Sequence, residues 1–312
     1  MAIQIFNTGD CTQDATGTAV RNCDKSTLGD LKGLVNFNKG WFKAITDGNV
    51  DFDLAGFITE IKSLKAFPLN GMYDFGQDTP ENETNTSSTG IIQEVRAGKP
   101  QFSFMFTKGS CFHKSLFNKR GQARWDFGFV FENGILMAYN SDVTKLKGFD
   151  GGMFNVESYK LLQGTDLEMS TAKIQLLNAI EWNERNVFIP FDVAGDIGGV
   201  DGVVEVSIAI DPISAGTSFT ASITSSCNKA DSILDLDELT NFVLLGTQTS
   251  ATGISAVSYD ANTSKYTFTV DEAFVPTDTV QIQLNDGTYK VVEDSEGALY
   301  KGTSSLVTVI GA

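Results

Sequence analysis

Apolar positions along the chain follow two periods. Leu54, Phe57, Ile58, Ile61 and Leu64 recur every three or four residues. This spacing predicts a helix over 54–66, stopped by Pro68. Elsewhere every second residue is apolar. Phe102, Phe104 and Phe106 alternate, and so do Trp125, Phe127, Phe129 and Phe131, which puts each set on one face of a strand. Between these runs Ser110–Lys119 reads as a short helix, with Ser110 as N-cap and Gly121 just past its end. Asn133-Gly134 predicts a type I′ turn into a returning strand, Ile135–Tyr139. Further strands are expected near Leu69–Phe75, Ser158–Leu162 and Lys173–Leu177, with short elements at Leu31–Val35 and Gly40–Ile45 and a helical turn at Ala179–Asn186. The aromatic stripes read as core.

Two stretches break the pattern. Gly76 to Thr89 contains no large apolar residue and predicts a long polar loop at the end of a β-hairpin, its arms Met72–Phe75 on one side and Ile91–Val95 leading into Gln101–Phe106 on the other. Asp196 to Gly202 has linker composition, and beyond it the texture becomes all-β. Val204 to Ile210, Phe219 to Ile223, Phe242 to Leu244, Tyr266 to Val270, Val280 to Leu284, Thr288 to Val292 and Leu306 to Ile310 are short apolar runs separated by turn signals such as Asp286-Gly287. The expected class is α+β, mainly β: an antiparallel sheet or barrel domain with short helices at 1–196, opening on an extended N-terminal arm, a linker at 197–202, and an immunoglobulin-like β-sandwich at 203–312.

Charge then narrows the functions. The chain of 312 residues has a formal net charge of −16. Residues 1–196 hold 24 acidic and 19 basic side chains, whereas 197–312 hold 15 and 4. Neutralising phosphate requires a cation surplus, so sequence-specific or tight nucleic-acid binding is disfavoured. No apolar run reaches the roughly 18 residues of a membrane helix, and the first ten residues have neither a basic nor an apolar signal region.

Catalytic and metal motifs are missing. Cys11, Cys23, Cys111 and Cys227 form no CxxC or Cys–His cluster; four free thiols are expected, and a Cys11–Cys23 bridge has no support beyond spacing. His113, the only histidine, sits among aromatics without a nucleophile-elbow pattern and reads as a partly exposed helix residue. Asp231 to Glu238 lacks the glycine and terminal glutamate of a calcium loop. The sequons at Asn82, Asn85 and Asn262 read as chance matches in polar loops. Asp51, Asp53, Asp126 and Glu132 supply carboxylates for a glycosidase-like pair without forming a recognisable site. No enzyme, cofactor or metal is expected.

The order of features over 35–195 resembles the tail tube proteins of tailed bacteriophages, particularly those of Bacteroidetes-type hosts. The likeness rests on the helix, the long polar hairpin loop, Arg96-Ala97-Gly98-Lys99 entering the Phe102–Phe106 strand, the Trp125–Phe131 strand with its Glu132-Asn133-Gly134 turn, and Gly148 to Glu157. Residues 203–312, through Asn241-Phe242, Tyr259 to Asn262 and Tyr266 to Val270, are similar to bacterial immunoglobulin-like domains appended to phage virion proteins. The resemblance implies a virion structural subunit, assembled in the host cytoplasm, that forms hexameric rings stacked into a tube. Other virion proteins would be its partners, and DNA would pass in transit without sequence-specific binding. It also implies that the hairpin loop, with Asp78, Glu81, Glu83, Asn85, Arg96 and Lys99, reaches the adjacent ring. A head-associated capsid or decoration protein is the alternative, and an extracellular adhesin a remoter one.

Overall fold

The computed structural model describes residues 3–4, 29–89, 92–161, 167–227, 232–234, 236, 238–248, 251 and 253–310. Most of the expected N-terminal arm, and Asp231, Asp235 and Asp237 of the acidic run, lie outside the described residues. The chain divides into two compact units, residues 1–60 with 64–200, and residues 61–63 with 201–312.

The first unit is mainly antiparallel β. In chain order it contains β1 (Ile3–Gln4), β2 (Leu31–Asn38), β3 (Phe42–Thr46), β4 (Asn49–Val50), α1 (Leu54–Lys62), β5 (Ala66–Asn70), β6 (Asp74–Gln77), β7 (Glu83–Thr86), β8 (Ile92–Arg96) and β9 (Gln101–Phe106). There follow α2 (Gly109–Asn118), β10 (Gly121–Gln122), β11 (Trp125–Phe131), β12 (Gly134–Tyr139), β13 (Lys145–Lys147), β14 (Phe149–Val156), β15 (Ser170–Leu176), α3 (Ala179–Asn183), β16 (Asn186–Pro190) and α4 (Phe191–Ala194). The main path runs β1-β4-β3-β13-β12-β11-β14-β15-β9-β6, with β2 and β5 branching from β11, β16 from β12 and β10 from β14.

β11 is the hub of this unit. One edge pairs along its full length with β2; the other is divided between β12 at Phe129–Phe131 and β14 at Asp126 and Phe127. Both of its faces are buried, so Asp126, Gly128 and Val130 are as enclosed as the aromatics that alternate with them. On one face Phe129 meets Phe102 at 5.0 Å, Trp182 at 5.0 Å and Phe149 at 5.5 Å. On the other side of the sheet Phe37 of β2 stacks on Trp41 at 4.2 Å and meets Phe57 of α1 edge-on at 6.5 Å. The alternating pattern of β9 is kept, with Phe102, Phe104 and Phe106 buried.

Local signals differ from the sequence expectation at several ends. α1 stops at Lys62, and Leu64 adopts φ +58°, a left-handed conformation that ends the helix before Pro68 is reached. Pro68 lies inside β5, which pairs with β2 alone, and a residue without an N–H is tolerated on such an edge. α2 begins at Gly109 with Lys108 as a cap that donates no side-chain bond; Ser110 is already inside the first turn. Glu132-Asn133 links β11 to β12, with Phe131 paired to Gly134 and neither Asn133 nor Gly134 at positive φ, so the type I′ turn does not form. Around Ser158–Leu162 the described residues make a single bridge, Lys160 to Met169, and no strand. The Asp196–Gly202 run is not a free tether: Asp196 Oδ1 accepts the Gly199 N–H at 3.0 Å, and Ile197 is fully buried in the first unit.

Cysteine is a further correction. Cys111 and Cys227 are each disulfide-bonded, and no described cysteine is free. The expectation of free thiols fails because pairing depends on Cα separation in the fold, which spacing along the chain does not reveal. Cys11 and Cys23 lie outside the described residues.

The second unit contains β17 (Val204–Ile210), β18 (Gly216–Ser225), β19 (Phe242–Leu245), β20 (Ile254–Asp260), β21 (Lys265–Phe274), β22 (Thr279–Leu284), β23 (Val292–Glu293), β24 (Leu299–Lys301) and β25 (Val307–Thr308). One sheet is ordered β20-β21-β18-β17-β24-β23 and the other β19-β22-β25. Their inner faces form one core, a β-sandwich. Phe219 stacks on Phe268 at 5.2 Å, and Phe242 from the opposing sheet meets Phe268 edge-on at 5.0 Å. Gly287 makes the turn after Asp286 with φ +89°, but the strand there spans only Val292–Glu293, so Val292 alone of the expected Thr288–Val292 is in it.

Candidate assembly surface

The polar stretch after β6 is not a structureless loop. β6 and β9 form the inner half of a hairpin within the main sheet, from Asp74 opposite Met105 to Gln77 opposite Phe102. The same two chain directions then continue outward as a separate two-stranded ribbon, β7 with β8. Glu83 to Thr86 are all exposed, and Ile92 on the facing strand is 68% exposed. Among the described residues the ribbon pairs with no other strand, and it is held by its own backbone pairing and by its attachment at the base.

That base is a pinch. The N–H of Asp78 donates to the carbonyl of Gln101 at 3.0 Å, and the N–H of Gly98 donates to Asn82 Oδ1 at 2.9 Å. A Cβ on Gly98 would lie 1.8 Å from the Pro80 carbonyl oxygen. Only glycine permits this approach of two backbones, which sets where the inner half ends and the arm departs. The six residues expected at an assembly loop are distributed along it. Asp78 and Glu81 are exposed at the neck, with Lys99 half-buried on the returning side. Glu83 and Asn85 lie on β7, and Arg96 on β8 is the register partner of Glu83. Gly98, Pro80 and Asn82, which shape the neck, were not among the expected residues. The Ala97-Gly98-Lys99-Pro100 sequence carried that signal, a glycine between two hairpin arms.

Of the carboxylates considered for catalysis, Asp126 and Asp53 accept hydrogen bonds from the backbone. Asp126 and Asp150 face each other across β11 and β14, and Lys39 bridges both, its Nζ 3.0 Å from Asp126 Oδ1. Asp126 Oδ2 also accepts the Gly40 N–H at 2.8 Å. Burial alone would lower the Lys39 ammonium, but hydrogen bonds to Asp150 and Asp126 outweigh it and hold the group above the ordinary lysine value. Glu181 extends the network, accepting the Asp150 N–H at 2.9 Å and pairing with Lys147. Asp53 accepts the Gly56 N–H at 2.8 Å at the start of α1, and Glu132 is exposed beside the turn. His113 lies half-buried on α2, its ring 5.0 Å from that of Tyr159.

Among the described residues no group of His, Cys, Asp and Glu is placed to hold a metal ion. No helix among them is long and apolar enough to cross a membrane. Compared with known protein families and with characterised proteins, the chain matches none.

Proposed function

We propose that this chain is a virion structural protein, the major tail tube subunit of a tailed bacteriophage, which forms stacked hexameric rings around the DNA-ejection channel. The observation that carries this reading is the β7–β8 arm. A two-stranded ribbon whose Glu83–Thr86 strand is exposed throughout is marginal in water, and its open edges invite another strand or surface. Ile92 at 68% and Tyr73 at 60% exposure place apolar side chains along the same hairpin. A subunit that keeps such an arm has use for it in contact with a neighbour. The net charge of −16 suits a wall along which DNA slides without adsorbing. Disulfide-bonded Cys111 and Cys227 suit a particle that leaves the reducing cytoplasm, where bridges made after release persist.

Negative-stain microscopy of the purified full chain over a range of concentrations tests the reading. Rings or hollow tubes are expected. Closed shells would move the protein to the head of the particle, and monomers at every concentration would remove the assembly role altogether.

A further inference from the structure

The charges of the first unit are sorted along the chain. From residue 74 to 94 there are five acidic side chains and no basic one; from 95 to 125 there are seven basic side chains and no acidic one. The first block is β6, the outgoing side of the neck and the arm as far as Glu94; the second opens with Arg96 at the end of β8 and Lys99 on the returning side of the neck. The second includes β9, α2 and the turn after it. In a protein of net charge −16, α2 and its flanks form a cationic island.

Four of its cations lack a counter-charge. Lys108, Lys114, Arg120 and Arg124 are exposed, and none of them is ion-paired among the described residues. The helix end accounts for part of the two arginines: Arg120 Nη1 donates to the Phe117 carbonyl at 2.9 Å, and Arg124 Nη1 reaches the Asn118 carbonyl at 3.5 Å. Arg120 also lies over the Phe117 ring at 3.5 Å, and Phe117 is itself 38% exposed. A guanidinium held over an exposed aromatic ring is a typical anchor at protein interfaces. Asp74, Asp78, Glu81 and Glu83 are likewise exposed and without an ion pair among the described residues. Two complementary surfaces thus sit on one subunit without satisfying each other.

We propose that the acidic hairpin of one copy docks on the α2 island of the next, a head-to-tail contact with itself. This rests on the tube reading above and names the surface that receives the arm. A contact between two different patches of the same molecule propagates from copy to copy, giving a closed ring or an open stack. Matching the signs fixes which end meets which and speeds encounter.

Charge exchange tests it. The first variant carries Lys114→Glu, Arg120→Glu and Arg124→Glu; the second carries Asp78→Lys, Glu81→Lys and Glu83→Lys. Each alone presents like charges on both surfaces, and its critical concentration for assembly is expected to rise about tenfold or more. Mixed in equal amounts, the two variants present opposite charges at every contact and should assemble together. Wild-type assembly should also weaken by about tenfold between about 0.05 M and 0.5 M NaCl, where the screening length falls several-fold. This measurement needs no substitution to be tolerated. Unchanged assembly of either variant, no recovery on mixing, or salt-independent assembly overturns the docking assignment while leaving the tube reading in place. Duplex DNA retained by wild type and lost in the first variant would reassign the island to nucleic acid. A wild-type chain that never assembles would fail the tube reading itself.

Discussion

Phe129→Ala is the sharpest test of how the first unit is held. Phe129 is 1% exposed and lies within 5.0–6.2 Å of four rings, those of Phe102, Phe104, Phe149 and Trp182. These rings come from β9, β14 and the α3 region, so one side chain joins three segments that are far apart in sequence. Truncating a buried phenylalanine costs about 3–5 kcal/mol, and the lost edge-to-face contacts put this site at the upper end. With a urea slope of about 2 kcal/mol per molar, a loss of about 4 kcal/mol lowers the unfolding midpoint by about 2 M. The readout is specific because all three tryptophans, Trp41, Trp125 and Trp182, belong to the first unit. Their fluorescence follows that unit inside the full chain, while circular dichroism follows both. Phe129→Leu, which retains most of the volume, should shift the midpoint by less than about 0.7 M. A shift below about 0.5 M for the alanine variant, or an equal shift for both variants, would refute the view that this cluster holds the unit together.

Two further substitutions probe the arm and the second unit. Gly98→Ala places a methyl group on the Pro80 carbonyl, so the neck must open. Cleavage by a protease within residues 79–97 should accelerate while the tryptophan signal of the core stays native; unchanged protection would mean that the pinch does not seat the arm. In the sandwich, the hydrogen bonds of Asp211 with Lys265 and Thr220 hold its carboxyl below the ordinary value. A depressed folded-state pKa adds stability that is present above the unfolded value of about 3.9 and is lost as pH falls below it. Asp211→Asn should therefore flatten the acid limb of the second unit's stability curve below about pH 4, as followed by circular dichroism, and an unaltered limb would show that this carboxylate does not contribute.

Some of this protein was legible in its order of residues because the signals are local. A period of two along Phe102–Phe106 or Val204–Ile210 is set by the strand's own geometry, and burial followed for Phe102, Phe104, Phe106, Val206 and Ile208, while Val204 at the strand's start stays exposed. The polar composition around the arm and the opposed charge blocks at 74–94 and 95–125 are likewise countable without coordinates. β20 escaped notice for the same reason in reverse: Ile254–Asp260 is an edge strand whose residues are half or fully exposed, so no apolar alternation marks it. Other features belong to the folded chain alone. β11 pairs with β2, about ninety residues earlier, and Phe129 is enclosed by rings brought to it from β9, β14 and α3 rather than by anything in Trp125–Phe131. Lys39 meets Asp126 and Asp150 because three strands converge there, and the bonded state of Cys111 and Cys227 depends on spatial approach. The pairing of Glu83–Thr86 with Ile92–Arg96 depends on the pinch at Gly98, where two backbones approach closely. Register, ion pairing and disulfide bonding are contacts between residues distant in sequence, and each is selected by the free energy of the whole packed unit, which no local window contains.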